Sequence, residues 1–198
     1  MEVNEALVKR RSIRKFTQEP VSEEDITKLL HAAMSGPSAC NRTPWEFYVV
    51  TDESTLEKLR KAARYSKIKS PLAIVVCGNL SKSLPMQLSP FWIQDCSAAT
   101  ENILLEATEL GLGTVWCGIH PMKKAEKNVS EILSLSEKIV PLNIIYVGHP
   151  AENPDPRDQF DIKKVHYIKK KTAATREALR KEVPPFFLWQ VFVISLNY

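Results

Sequence analysis

An unbroken apolar run from Leu72 to Cys77, ended by Gly78, constrains the fold of this chain more than any other feature. A strand with one face in water alternates apolar and polar residues, whereas an unbroken run is typical of a strand buried on both faces. Such a strand needs other elements packed on each side of its sheet. The run therefore predicts a central sheet flanked by helices.

The other elements are predicted from the spacing of apolar residues and from the residues at element ends. The predicted helices are residues 3–10, a helix capped by Ser22 and ended by Gly36-Pro37, a helix capped by Thr51 or Asp52, residues 91–112, and a helix from Pro121 to about Leu133. The predicted strands are residues 45–50, 72–77, 114–119 and 140–147.

This alternation of helices and strands fits both a doubly wound parallel sheet and an α+β sandwich. No strand is followed by a G-x-G-x-x-G turn, so a Rossmann-type dinucleotide site is not indicated. The apolar positions of the 91–112 helix cover more than a narrow stripe. That breadth predicts contact on two sides, as at a domain centre or a subunit interface.

Composition and charge restrict the kinds of partner. The net charge is +4, but 23 acidic residues are spread along the chain and no aromatic-rich nucleic-acid motif accompanies the basic ones. We therefore predict an anionic small molecule as ligand and no nucleic acid. The four cysteines and four histidines lack metal-ligand spacing, so no metal site is predicted. The sequence also shows no signal peptide and no apolar run long enough to span a membrane, which predicts a cytoplasmic protein.

A basic segment, Arg10-Arg11-Ser12-Ile13-Arg14-Lys15, is the first candidate site. If it is extended, Arg10, Ser12 and Arg14 share one face. Two guanidinium groups and a hydroxyl on one side suit a phosphate, because planar arginine donors pair bidentately with phosphate oxygens. The alternative is a solvated basic patch, and the spacing alone leaves both interpretations open.

A loop from Gly36 to Trp45 is the second candidate site. Two prolines restrict its backbone, and its small residues leave the amides accessible. Asn41 offers both a donor and an acceptor, which matches the edge of a heterocycle with carbonyl and N–H groups. The alternative is an ordinary helix-to-strand connection rich in turn residues.

Four motifs in order resemble the FMN-dependent nitroreductase family: RRSIRKF, GPSACNRTPWEFYVV, ENILLEATELGLGTVWCGI and VGHPAENPDPRDQFDIKKVHY. The resemblance covers residues 1 to about 167. It implies a homodimer of α+β sandwich subunits, each with a central, mainly antiparallel sheet flanked by helices, and FMN at the subunit interface. The 91–112 helix would supply much of that interface.

The resemblance also implies roles for particular residues. The positions that match the family's cofactor site are Arg10, Arg11, Ser12 and Arg14 at the phosphate and ring, Pro37, Ser38, Ala39 and Asn41 in a loop reaching the FMN of the other subunit, Cys117 and Gly118 at the flavin N5 edge, and Arg157 at the phosphate. Two positions depart from the family pattern. Thr43 replaces a frequent glutamine, and Cys117 replaces a frequent acidic residue, which puts the substrate preference in doubt.

Three residues are candidates for lining a substrate pocket. Phe91 and Trp92 could stack on a flat substrate, although a helix anchored in the core explains them equally well. His120 follows the predicted N5 loop closely enough to line the same pocket, although a structural role is the alternative. No side chain is predicted to be catalytic, because the flavin would carry the chemistry.

The predicted function is hydride transfer from NADH or NADPH, through bound FMN, to a small electron-poor acceptor such as a nitroaromatic or a quinone. The alternative is a flavin-holding or partner-binding module of the same fold without nicotinamide-dependent turnover. We assign the FMN-binding domain to residues 1–167. Residues 168–198, which end in an apolar tail, form an extension of unknown role.

Overall fold

The computed structural model describes residues 2–157 and 159–168. The helices are α1 (Val3–Lys9), α2 (Glu23–Met34), α3 (Glu53–Ala62), α4 (Phe91–Glu109) and α5 (Lys123–Leu133), and the strands are β1 (Trp45–Val50), β2 (Leu72–Asn79), β3 (Gly113–Gly118) and β4 (Ile139–Gly148). Short 3-10 turns occur at Ala39–Asn41, Met86–Leu88 and Ile162–Lys164. The predicted extension, apart from Ile168, lies outside the described residues.

The chain divides into two compact units, residues 1–156 and 157–198. The five helices and four strands found among the described residues belong to the first unit. The described part of the second unit contains the Ile162–Lys164 turn, which begins where the Asp161 side chain accepts from the Lys163 N–H.

The four strands form one antiparallel sheet in the order β1-β2-β4-β3. The predicted α+β architecture with a mainly antiparallel sheet is therefore confirmed, and the doubly wound parallel alternative is wrong. The same interleaved sequence pattern fits both, because a helical connection can join strands running in either relative direction.

Strand β2 is buried on both faces, as its apolar run predicts. Leu72, Ile74 and Val76 pack in one cluster with residues of α2 and α4. Ala73, Val75 and Cys77 pack in the other cluster with residues of α3 and α5. Burial of each larger apolar side chain contributes about 1.5–3 kcal/mol, so this strand helps to hold both helical layers to the sheet.

Two helix caps occur where the sequence predicts them. The Ser22 hydroxyl accepts a 3.0 Å hydrogen bond from the Asp25 N–H at the start of α2. The Asp52 carboxylate accepts a 2.8 Å hydrogen bond from the Thr55 N–H at the start of α3. The cap of α3 is therefore Asp52 rather than Thr51. Each side chain satisfies a backbone donor that the first helical turn leaves free.

Two helix boundaries differ from the prediction. Helix α5 begins at Lys123 rather than Pro121, because residues 119–122 form a turn closed by a 2.9 Å hydrogen bond from the Met122 N–H to the Ile119 carbonyl. Helix α4 ends at Glu109 rather than Leu112. Gly111 has a φ of +72°, the left-handed conformation that commonly follows a helix end.

Among residues 2–157 and 159–168, none of the helices combines the length and apolar character that crossing a membrane would require.

Candidate functional site

The basic segment is extended and lies along β3, the outer strand of the sheet. Ser12 forms a parallel bridge with Thr114, and the Ile13 N–H donates to the Thr114 carbonyl at 2.8 Å. Ile13 is buried and lies against Gly113, where an added Cβ would overlap it. Burial of Ile13 between the more exposed Ser12 and Arg14 is the alternation that an extended segment predicts.

The cationic side chains of this segment are only weakly neutralised. Arg10 Nε lies 3.7 Å from Glu101 Oε1, and Arg14 Nη1 donates to the Ser12 carbonyl at 3.4 Å. Within the described ranges, neither Arg11 nor Arg14 forms an ion pair with a carboxylate. Arg14 is exposed, so its guanidinium is available to an anion.

Glu152 organises the backbone of the same segment. Its Oε1 accepts hydrogen bonds from the Arg14 N–H at 2.6 Å and the Lys15 N–H at 3.2 Å. The Arg14 hydrogen bond is the main cause that lowers the pKa of Glu152. These two amides are therefore occupied, and any phosphate here would be met by side chains.

Cys117 lies inside the end of β3. The thiol donates to the Tyr65 carbonyl at 3.2 Å. Burial raises the pKa of the Cys117 thiol to about 11, although the nearby positive charge of Arg14 opposes this effect. At neutral pH the thiol is protonated, which argues against a nucleophilic role.

Gly118, the last residue of β3, borders open space. Its backbone is exposed, and a Cβ added there would meet no atom within 4 Å. The electrostatic coupling between Arg14 and Cys117 connects this strand end to the basic segment. The structure thus pairs the basic segment with β3, the strand that ends at the accessible backbone of Gly118.

The loop at residues 37–41 is anchored to α4. The Ala39 N–H donates to Asp95 Oδ1 at 2.8 Å, and the Thr43 N–H donates to the Ser38 hydroxyl at 3.0 Å. Cys40 and Asn41 have positive φ values of 51° and 53°. Left-handed backbone costs roughly 1–2 kcal/mol per non-glycine residue, less for asparagine, so contacts such as that with Asp95 must stabilise it.

The loop and the basic segment stay separate in one chain. In the part of the chain that the structure describes, no hydrogen bond or ion pair joins Pro37, Ser38, Ala39 or Asn41 to residues 10–14. A role for the loop at the cofactor of a second subunit therefore stays a prediction. The same holds for Arg157, which is exposed and belongs to the second compact unit.

The candidate substrate residues occupy different environments. Trp92 is 5% exposed and packs in the α2/α4 core, where an added Cβ at Gly78 would overlap its ring. Phe91, one residue earlier, is 37% exposed. The position of Trp92 agrees with the alternative of a helix anchored in the core.

His120 is held between Trp92 and Glu126. The two rings meet edge to face with centroids 5.1 Å apart, and His120 Nδ1 lies 2.8 Å from Glu126 Oε1. Lys123 also reaches the Glu126 carboxylate, at 2.9 Å. The imidazole is thus oriented from two sides.

Sequence reasoning missed Asp95, Glu152 and the loop at residues 64–69. Asp95 had a local signal, because it is the single acidic residue between Pro90 and Thr100. The 64–69 loop also had one, because no acidic residue occurs between Lys58 and Gln94. Glu152 had none, since its partners lie far away in the sequence.

The described residues contain no cluster of side chains suited to holding a metal ion. A surface pocket of about 250 Å³ is lined by residues at 18–21, 51–53 and 71–72, and includes none of the predicted site residues.

Comparison with known proteins identifies the family. The model of the nitroreductase family matches residues 7–76 and 69–149. A candidate NADH dehydrogenase/NAD(P)H nitroreductase of Methanothermobacter thermautotrophicus is 43% identical over 171 residues, which cover 85% of this chain and 88% of that protein.

Solved structures agree with that match. A candidate NADH dehydrogenase/NAD(P)H nitroreductase of Parabacteroides distasonis superposes with a TM-score of 0.80 at 36% identity, covering 85% of this chain and 98% of the other. An FMN-dependent nitroreductase of Clostridium difficile superposes with a TM-score of 0.76 at 33% identity, covering 83% and 98%. The fold, the motifs and the length matched together show that this chain belongs to the nitroreductase family.

Proposed function

We propose that this protein is an FMN-dependent oxidoreductase that transfers hydride from NADH or NADPH to a small electron-poor acceptor, such as a nitroaromatic or a quinone. The observation that carries the proposal is that the segment with the exposed Arg14 pairs with β3, the strand that ends at the open backbone of Gly118. A phosphate needs an exposed cation such as Arg14, and a flat ring needs an open backbone such as that at Gly118. The names of the family members compared above agree with this chemistry.

The residues present fit FMN. Arg10, Arg11, Ser12 and Arg14 would hold the phosphate, since guanidinium groups are suited to a dianion and those of Arg11 and Arg14 have no carboxylate partner among the described residues. Gly118 would let a flat ring approach the end of β3, where no side chain intervenes. In this proposal residues 1–167 form the FMN-binding domain.

When bound, FMN supplies the hydride chemistry itself. The protein's own contribution is electrostatic and steric. Guanidinium groups and backbone N–H dipoles stabilise negative charge that develops in the site. Cys117 keeps its proton, so it adds no competing negative charge beside Arg14.

A homodimer is part of the proposal. Leu7 of α1 and Trp116 of β3 are large apolar side chains that are 47% and 37% exposed. Helix α1 packs against α4, whose apolar surface is broad. Exposed apolar residues in such a region favour burial against a second copy. The loop at residues 37–41 would then reach the FMN of that copy.

The test is the cofactor and the turnover of the purified protein. We expect visible flavin absorbance, release of FMN rather than FAD on denaturation, and oxidation of a reduced nicotinamide that depends on an added nitroaromatic or quinone. A protein that gains no flavin absorbance with added FMN would contradict the cofactor assignment. A protein that binds FMN but oxidises neither NADH nor NADPH would instead be a flavin-holding module.

A further inference from the structure

The loop at residues 64–69 is a concentration of unpaired positive charge. Three nearby cations have carboxylate partners: Arg60 pairs with Glu53, Lys61 with Glu57, and Lys82 with Glu46. In contrast, Arg64, Lys67 and Lys69 form no ion pair within the described residues. No acidic residue occurs between Lys58 and Gln94, so the sequence on either side of the loop offers no carboxylate. In space, the charge of Lys69 acts on Glu53, which already pairs with Arg60.

The loop is held rigidly from the inside. The Ser66 hydroxyl is buried and lies within hydrogen-bonding distance of the Arg60 and Ala63 carbonyls, at 3.1 and 2.8 Å. Arg60 donates from Nε to the Ile68 carbonyl at 3.1 Å and from Nη2 to the Ser70 carbonyl at 3.4 Å. The cations of the loop are therefore presented on a fixed backbone.

Burial alternates along the loop. Ser66 and Ser70 are buried and Ile68 is half-buried, whereas the residues between them, Lys67 and Lys69, are exposed. Alternation of this kind is expected of an extended segment with one face on the protein. It places the ammonium groups together on the solvent side.

An aromatic ring and a guanidinium complete the surface. Tyr65 is 68% exposed, and the Arg64 guanidinium lies 5.5 Å from the centre of its ring. The two can stack with each other and with a planar base, since guanidinium groups and aromatic rings both offer flat faces.

The loop adjoins the site assigned to FMN. The Tyr65 carbonyl accepts the thiol hydrogen of Cys117 at 3.2 Å, and Cys117 precedes Gly118. The charge of Arg14 also acts on Cys117. A ligand whose reacting part lies over the end of β3 can therefore extend toward Arg64 and Lys67.

We propose that this loop binds the adenosine 2′-phosphate of the electron donor and makes the enzyme selective for NADPH over NADH. The inference rests on the proposed function. Tyr65 would stack on the adenine, and Arg64 and Lys67 would pair with the 2′-phosphate. That phosphate carries close to two negative charges at neutral pH, and NADH lacks it. The enzyme would discriminate between NADPH and NADH because the two dinucleotides differ only in this phosphate.

The kinetic test compares Arg64→Gln/Lys67→Gln with Lys61→Gln. Lys61 is an exposed cation on α3, but it is already paired with Glu57. With FMN saturating, we expect the double variant to lose about tenfold or more in kcat/KM for NADPH, the order expected for charge-assisted phosphate contacts. The kcat/KM for NADH should change by less than about twofold. Lys61→Gln should keep the wild-type kcat/KM for both dinucleotides.

Cofactor binding is measured on the same proteins. The Kd for FMN, from flavin fluorescence quenching, should be the same in the wild type and the double variant. A loss of FMN affinity, or an equal fall in kcat/KM for both dinucleotides, would mean that the loop acts on the flavin or on a shared part of the donor. Either result would overturn the proposal, as would an unchanged preference for NADPH.

A binding test separates this proposal from the proposed function. Adenosine 2′,5′-bisphosphate and AMP differ only in the 2′-phosphate, and calorimetry gives the affinity of the FMN-loaded protein for each. We expect tighter binding of the bisphosphate, with the difference lost in Arg64→Gln/Lys67→Gln. Equal binding of both probes would refute the loop assignment even in an active enzyme. Selective binding without turnover would refute only the proposed function.

Discussion

Asp95, on the inward side of α4, accepts a 2.8 Å hydrogen bond from the backbone N–H of Ala39. The carboxylate is 6% exposed and lies 56 positions away from its partner. It joins the 37–41 loop to the helix that forms the centre of the α2/α4 layer. The geometry of this loop therefore depends on a contact between residues far apart in the sequence.

Replacing Asp95 should loosen the loop. In Asp95→Ala the half-buried Ala39 N–H loses its acceptor, and we expect the free energy of unfolding to fall by about 1–3 kcal/mol. Asp95→Asn retains an acceptor oxygen and should cost less. Urea denaturation of both variants measures the difference. Equal losses would mean that packing around residue 95, rather than the hydrogen bond, matters.

The basic segment should distinguish neighbouring charges. Arg14 and Lys15 are both exposed, and both donate their backbone N–H to Glu152. Only Arg14 is coupled to Cys117 at the end of β3. We expect Arg14→Gln to weaken FMN binding about tenfold and Lys15→Gln by less than about threefold, measured by fluorescence titration. Similar effects would contradict a phosphate site on one face of the segment.

The fit of Trp92 against Gly78 should be intolerant of added volume. A methyl group at position 78 would overlap the indole ring, which the core confines. We expect Gly78→Ala to lower the free energy of unfolding by about 1–3 kcal/mol.

The matched control makes the same substitution next to a smaller side chain at position 92. In a Trp92→Leu background, Gly78→Ala should cost clearly less, because leucine leaves room for the methyl group. Chemical denaturation of the four proteins forms a double-mutant cycle. A coupling energy near zero would show that the overlap is relieved elsewhere.

Stability should fall at alkaline pH because of buried thiols. Burial raises the pKa of Cys117 from 9.0 to about 11 and that of Cys96 to about 12. Above pH 9 the unfolded chain releases these protons while the folded chain retains them, so the free energy of unfolding decreases as pH rises. Below about pH 8 both states are protonated and the effect vanishes.

Cys117→Ala isolates one contribution to this pH dependence. The difference between the ordinary pKa of 9.0 and the folded-state pKa of about 11 corresponds to roughly 2–3 kcal/mol in the free energy of unfolding. This full loss is reached once the pH equals the folded-state pKa. The variant should therefore lose less stability between about pH 8 and pH 10 than the wild type. Cys40→Ser, at an exposed thiol, is the control and should keep the wild-type slope. Identical slopes in all three proteins would contradict the burial argument.

The proposed subunit interface is testable by charge. Leu7 and Val49 are both exposed apolar residues, but Leu7 lies on α1 and Val49 on β1, the opposite edge strand from β3. We expect Leu7→Glu to shift a dimer toward monomer and Val49→Glu to leave it intact, as measured by light scattering across a concentration series. A monomeric wild-type protein would refute the interface.

The sequence alone determined the local features of this protein. The unbroken run in β2 predicted burial on both faces, because each side chain of a strand points to one side or the other. Ser22 and Asp52 predicted helix starts, because a cap acts within three residues. The order and spacing of the four motifs identified the family without any coordinates.

Which distant groups meet depends on the tertiary fold. Strand order, the antiparallel directions, the anchoring of Ala39 by Asp95, and the contact between Cys117 and Tyr65 all join residues far apart in the chain. Periodicity and capping act over a few residues, so they specify which face is apolar but not which element covers it. The cations at residues 64–69 were visible in the sequence. Their position beside the end of β3 became apparent only in the fold.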